Sequence, residues 1–195
     1  MKNFLNIYLD EVKFVIENLE KKKIQKIIIE ISKIKKNSGR IFFLGVGGSA
    51  GNCSHAVNDF RKLCNIECYT PTDNVSELTA RVNDDGWSSS FVNWLKVSKL
   101  SKKDSIFVFS VGGGNKQKKV SENLVHAIDY AKQMKSKIFS IVGRQDGYAY
   151  QKSDVSILID CKNKSLITPM SESFQAIVWH MIVSHPKLQS NKTKW

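Results

Sequence analysis

The chain has 195 residues, enough for one domain with a substantial core, and its 42% hydrophobic and 25% charged residues are the balance of a soluble globular protein. No apolar run approaches the ~18 residues that a membrane span needs, and Asp10 and Glu11 stand where a signal peptide keeps its uncharged stretch, so a cytoplasmic protein is expected. The formal net charge of +12 is nearly all lysine scattered over helix faces, with only Arg40, Arg61, Arg81 and Arg144 as arginines; base reading of nucleic acid is disfavoured, while a small phosphorylated metabolite would be attracted.

In chain order, Leu5, Tyr8, Leu9, Val12, Val15, Ile16 and Leu19 recur at three-and-four spacing and predict a first helix. After the charged EKKK turn, Ile24, Ile27, Ile28, Ile31 and Ile34 predict a second, the pair spanning 3–36. The second is rich in β-branched residues, so packing rather than propensity must hold it. Asn37-Ser38-Gly39 supplies the stop, with the glycine expected in the left-handed conformation. Strand-like apolar runs follow at IFFLG (41–45), ECYT (67–70), SIFVFSV (105–111), KIFSIVG (137–143) and VSILID (155–160). Stretches with helical spacing lie at 49–63, 87–100, 117–135 and 169–185.

Unbroken apolar strands alternating with helices predict an α/β fold, a three-layer αβα sandwich around a five-stranded parallel sheet. No repeat, low-complexity tract or linker divides residues 1–195, so one domain is expected: residues 1–38 as N-terminal helices, 39–195 as the αβα core and C-terminal helix. The apolar stripes of the first two helices exceed what one small sheet covers, which suits packing in an oligomer. Cys53, Cys64, Cys68 and Cys161 form no CxxC pair and read as reduced thiols.

Ligands of such sheets bind beyond the carboxyl ends of the strands, and two glycine-rich loops fall there. In the first, Gly47 and Gly48 let the backbone approach a ligand, and Ser49 is expected to cap the next helix and offer its hydroxyl to the same anion. The stretch GVGGSAG lacks the dinucleotide pattern, and no Gly-Lys-Ser/Thr makes a P-loop, so no nucleotide cofactor is expected. In the second, Ser110, Gly112, Gly113 and Asn115 precede Lys116, Lys118 and Lys119, cations at an expected helix start where they oppose the dipole. An anion among them accounts for this, and so does solvated lysine in a lysine-rich chain. Tight βα turns without a ligand are the plainer reading of either loop.

His55 and Asp59, four apart, share a helix face. The final helix, SESFQAIVWHMIVSH, is mostly apolar yet carries Glu172, Gln175 and His180. Burying a histidine costs free energy unless it is paired, so a carboxylate helix and a histidine helix facing each other across a pocket would form an acid/base pair. Singly, His55 reads as a surface partner of Asp59, and His180 as a hydrogen-bonded core histidine.

Over nearly the whole chain, GVGGSAGNCSHAVNDF, TDNVSELTARVNDDGW, SVGGGN and the final helix with His180 resemble the SIS (sugar isomerase) domain family, close to its phosphoheptose isomerases. The resemblance implies a flavodoxin-like strand order and an enediol mechanism converting sedoheptulose 7-phosphate to D-glycero-D-manno-heptose 7-phosphate. It puts Asp59 at the position of the catalytic glutamate and His180 at that of the catalytic histidine. Gly47, Gly48, Ser49, Asn83, Asp84, Ser110, Gly112, Gly113 and Asn115 fall at substrate- or phosphate-binding positions. Some relatives hold one zinc ion, and the matching positions are His55, Asp59, Glu172 and His180, acceptable zinc ligands. Glu172 and His180 lie ~12 Å apart along a straight helix, so joint ligation requires Glu172 at a loosened helix start.

A homo-oligomer, dimer or tetramer, with sites built between subunits and a sugar phosphate as ligand, is implied as well. Two departures stand out: Asp59 is a methylene shorter than glutamate, and glycines 112–114 with Asn115 replace the family's Ser/Thr hydroxyls, leaving Ser110. These departures favour an alternative, a non-catalytic SIS module that binds a sugar phosphate or a protein partner. Retention of His55, Asp59 and His180 together speaks against it.

Overall fold

The computed structural model describes residues 3–193. Its strands are β1 (Ile41–Leu44), β2 (Cys68–Tyr69), β3 (Ser105–Ser110), β4 (Lys137–Val142) and β5 (Val155–Leu158). All pair in parallel, in the order β2-β1-β3-β4-β5. This is the flavodoxin-like order, whose switch point lies between β1 and β3. The helices are α1 (Phe4–Glu17), α2 (Lys21–Lys36), α3 (Gly48–Cys64), α4 (Val75–Asp85), α5 (Ser90–Val97), α6 (Glu122–Gln133), α7 (Tyr148–Lys152) and α8 (Ile167–Val183).

Strand alternation sorts the core into two halves. Phe43, Phe107, Phe109, Phe139 and Ile141 meet α2, α3 and α8 on one face. Phe42, Leu44, Ile106, Val108 and Ile138 meet α5, α6 and Ala149 of α7 on the other. The Phe43, Phe107 and Phe139 rings are fully buried, and their centroids lie 5.5 and 5.8 Å apart along the row. Each buried phenyl contributes ~1.5–3 kcal/mol of transfer free energy. Ile24, Ile27, Ile28, Ile31 and Ile34 of α2 are all buried, so packing holds that β-branched helix as expected. On α1 the buried residues are Glu11 and Val15. The Glu11 carboxylate accepts from the backbone N–H groups of Lys162 (2.6 Å) and Asn163 (3.3 Å), which pins α1 to the loop after β5.

Several local expectations are corrected. The left-handed residue after α2 is Ser38 at φ 52°; Gly39 is required instead because a Cβ there would overlap the Lys103 carbonyl oxygen. The stretch 87–100 holds a 3₁₀ turn (Trp87–Ser89) and the short α5. Helix α4 was not expected: Val75, Leu78 and Val82 recur at three-and-four spacing, but none is fully buried, Leu78 packs against the core only in part, and the Asn74 side chain caps the helix by accepting from Glu77 N–H at 3.1 Å. Helix α6 begins at Glu122 rather than 117. Asn115 and Val120 form an antiparallel bridge, and the Asn115 side chain takes the Lys118 N–H at 2.8 Å. That side chain competes with a helical turn, so Lys116, Lys118 and Lys119 sit in a closed turn and not at a helix start.

All four cysteines are free and buried. Burial pushes the Cys53 thiol well above its ordinary value and those of Cys64 and Cys161 to about 11, so they are packing groups. Among the described residues, no helix is long and apolar enough to cross a membrane.

Candidate active site

Helices α3 and α8 lie side by side and run in the same direction. Asn52 Nδ2 donates to the Glu172 carbonyl (2.9 Å) and to Gln175 Oε1 (3.0 Å). The fully buried Gln175 donates from Nε2 to Ser49 Oγ (3.1 Å), and Cys64 Sγ donates to the Val183 carbonyl (3.3 Å). This register carries His180 to the level of His55 and Asp59. Asp59 Oδ2 lies 3.9 Å from His55 Nε2 and 3.8 Å from His180 Nε2. Asn58 Nδ2 holds the other carboxylate oxygen, Oδ1, at 2.8 Å.

The orientation of both imidazoles is set by neighbours. His180 Nδ1 lies 2.8 Å from the Ala176 carbonyl, which can only accept, so Nδ1 carries a proton and Nε2 faces Asp59. The Trp179 ring stacks on His180 at 3.5 Å between centroids and meets His55 edge-on at 4.8 Å. Contrary to the core reading, the His180 side chain is 46% exposed; His55 is 58% and Asp59 17% exposed. The trio therefore opens outward from the α3–α8 groove, beside the half-exposed Ile177 and Met181.

One ligand atom from each of His55, Asp59 and His180 lies within 4.8 Å of the others. Tetrahedral zinc, with bonds of ~2.0–2.2 Å, sets its ligand atoms ~3.3 Å apart, and the observed 3.8 and 3.9 Å separations are about half an ångström wider. With Nδ1 of His180 committed to a carbonyl, as metal-bound histidines require, the three residues fit zinc. Glu172 does not join them. Its carboxylate lies against Gly48, where a Cβ would stand 2.6 Å from Oε2 and 2.7 Å from Oε1. That places it at the start of α3, the positive end of the helix dipole.

The first loop also differs from expectation at Ser49. Gly47, at φ 63°, is the N-cap of α3, while Ser49 is buried and its hydroxyl oxygen is taken by Gln175. In the second loop, Ser110 Oγ accepts from Gly113 N–H at 2.9 Å. The carbonyls of Gly113 and Gly114 accept from Ala149 and Tyr148 at the start of α7, each at 2.8 Å, and these glycines, at φ 73° and 79°, serve close packing, Gly113 against Gly147 and Gly114 against Val125. Gly112 and Asn115 line a cavity beside the β4–α7 loop. Asn83 and Asp84 are exposed at the end of α4 and bond each other at 2.8 Å.

Sequence reasoning passed over Trp179, Asn52 and Gln175 as the groups that set the trio. Two spacings carried the signal: Trp179 adjoins His180, and Asn52 precedes His55 by three.

No family model matches the chain. It is 25% identical over 186 residues to a phosphoheptose isomerase of Helicobacter pylori, covering 93% of this chain and 90% of that one. It is 28% identical over 158 residues to the lincomycin biosynthesis protein LmbN of Streptomyces lincolnensis, covering 75% of this chain and 56% of the relative, little more than half its length. Among solved structures, phosphoheptose isomerases of Francisella tularensis (TM-score 0.77, 16% identity) and Neisseria gonorrhoeae (TM-score 0.75, 18% identity) superpose over 92% of this chain and 92% of theirs. At those identities the structures share the fold.

Proposed function

We propose that this protein is a phosphosugar isomerase that interconverts a ketose and an aldose through an enediol, with sedoheptulose 7-phosphate as substrate and D-glycero-D-manno-heptose 7-phosphate as product. The observation that carries this reading is the Asp59 carboxylate set between the Nε2 atoms of two imidazoles on adjacent helices. The relatives named phosphoheptose isomerase support the substrate class.

In the forward direction Asp59 removes a proton from C1 of the ketose. The C–H electrons form the C1–C2 double bond, and the C2 carbonyl oxygen takes the proton that a doubly protonated His180 carries on Nε2. The enediol then loses the O1 proton to His180 as C2 receives the proton held by Asp59, leaving an aldehyde at C1. A general base or acid of this kind contributes ~10²–10⁴-fold. A zinc ion held by His55, Asp59 and His180 would take the His180 Nε2 lone pair, and would supply positive charge to the developing oxyanion in place of the His180 proton. Gly47 and Gly48, with Gly112 and Asn115 and with Asn83 and Asp84, are assigned to the phosphate and hydroxyls, while Ser49, Ser110 and Gly113, whose groups pair within the protein, shape the two loops that carry them.

The reading extends to a cytoplasmic homo-oligomer of a single-domain chain. Phe4, Leu5, Leu9 and Ile16 of α1 are each about half exposed or more, a face suited to another subunit, and the outward-facing trio suits closure by a neighbouring copy.

The test is incubation with sedoheptulose 7-phosphate in deuterated water, read by NMR. Aldoheptose deuterated at C2, lost in Asp59→Asn, is the expected result. Stoichiometric binding without turnover would overturn the isomerase in favour of the non-catalytic module, for which the glycine-filled second loop speaks. Failure to bind would reject the phosphosugar site altogether.

A further inference from the structure

Each of the five strands is preceded by a helix: α2 before β1, α3 before β2, α5 before β3, α6 before β4 and α7 before β5. Every one of these helices carries lysine or arginine in its last turn, and none carries an acid there. Taken singly, each cation answers the negative end of its own helix dipole. Because all five strands run parallel, the five helix ends lie at one end of the sheet, opposite the glycine-rich loops. Lysines that look scattered in the sequence are thereby gathered in space.

Two cavities open at this end, of about 510 and 480 Å³, and Lys137 lines both, so they form one groove beneath the starts of β3, β4 and β5. Its lining carries seven lysines and three carboxylates. The carboxylates are engaged within the protein. Glu30 holds Lys33 at 2.6 Å, Asp104 accepts from Arg40 and Ser101, and Asp154 accepts from Ile138 N–H at 2.8 Å with Lys137 Nζ 3.9 Å away. Lys102, Lys103, Lys132 and Lys135 pair with no carboxylate among the described residues. Neither the His55, Asp59 and His180 trio nor either glycine-rich loop lines the groove.

Unpaired ammonium groups along one groove repel one another and gather mobile counterions, and a polyanion that replaces those counterions gains from their release. The kind of polyanion follows from the lining. Among the described residues it holds no arginine to fork onto base edges and no aromatic ring on which a base could stack, so nucleic acid bases find no partner there. Lysine is a point charge that meets a phosphate in any orientation. A concave groove also suits a chain better than the flat surface of a bilayer.

We propose that this groove binds a linear polyphosphate chain, with Lys102, Lys103, Lys132, Lys135 and Lys137 each meeting a phosphate along it. The inference is independent of the isomerase reading, whose residues lie elsewhere.

Fluorescence anisotropy of end-labelled linear polyphosphate, titrated with the full chain, tests it. For a single-stranded polyanion, log K falls against log[salt] with a slope of about −0.7 per phosphate neutralised, so five lysines predict about −3.5. Lys102→Gln with Lys103→Gln, and Lys132→Gln with Lys135→Gln, should each make the slope shallower by about 1.4 and weaken binding at least tenfold at ~50 mM salt. Lys13→Gln with Lys22→Gln removes the same charge from exposed positions on α1 and the start of α2, and should change affinity by less than about threefold. Excess sedoheptulose 7-phosphate should displace none of the polyphosphate, whether or not it is turned over. No binding at ~50 mM salt, a slope indifferent to both groove pairs, or an equal loss in the Lys13 and Lys22 pair would overturn the groove. Displacement by the sugar phosphate would move the chain to the glycine-rich loops and overturn it as well. Tighter binding of a single-stranded oligonucleotide, or of vesicles rich in anionic lipid, would overturn the assignment to polyphosphate.

Discussion

Zinc binding separates the ligand set that the structure assembles from the one that family resemblance implies. Zinc at a hundred times its Kd stabilises the folded chain by about 2.7 kcal/mol. For a domain of this length each kcal/mol moves Tm by ~2–4 °C, so a rise of ~5–11 °C over the chelated protein is expected. His55→Ala or Asp59→Ala removes one of the three converging ligand atoms and should reduce that rise to under ~1 °C at the same zinc concentration. Glu172→Gln should keep all of it, because the Glu172 carboxylate rests against Gly48 and not beside His180. What Glu172→Gln should lose is metal-independent: a negative charge at the start of α3, worth ~0.3–1 kcal/mol. Differential scanning calorimetry with zinc or EDTA reads both effects, and zinc binding by the unfolded chain is nearly common to all variants. A Glu172→Gln protein that loses the zinc shift as fully as His55→Ala, or a wild type with no shift, would refute the reasoning.

Asp104, 2% exposed, accepts from Arg40 N–H, Nε and Nη2 and from Ser101 N–H and Oγ. Asp104→Ala leaves those donors unpaired and should cost ~3–5 kcal/mol in urea denaturation. Burial alone would raise the Asp104 carboxyl, but the Arg40 and Ser101 hydrogen bonds outweigh it and hold it below 3.8. Its contribution is therefore complete above pH 3.8 and lost as pH falls through the lower folded value. Acid titration of stability should show a steeper fall below pH 3.8 for wild type than for Asp104→Asn. Gly147→Ala should part the β3 and β4 loops at ~1–3 kcal/mol, read as a lower Tm; an unchanged Tm would mean that Gly147 is not needed for that close approach.

The fold was legible because its causes are local and periodic. Phe42 and Phe43, or Val108 and Phe109, alternate between two buried faces, and a strand that is apolar throughout has few places except the middle of a parallel sheet. The isoleucines of α2 announced their face in the same way. Helix α4 escaped because its stripe of Val75, Leu78 and Val82 is short and only weakly buried, and the true start of α6 because one side chain, Asn115, captures a backbone N–H that the helical pattern assigned elsewhere. For the site, spacing was enough to set His55 over Asp59, since four residues on one helix share a face by geometry.

Whether His180 meets that pair and Glu172 does not depends on how far α8 slides along α3. That register is set by Ser49 and Asn52 meeting Gln175, which lies more than a hundred residues further along the chain. No residue spacing encodes it, because it is a balance of contacts between two separate helices. The same holds for the lysine groove, whose cations sit at helix ends far apart in the chain and meet only once the parallel sheet has formed.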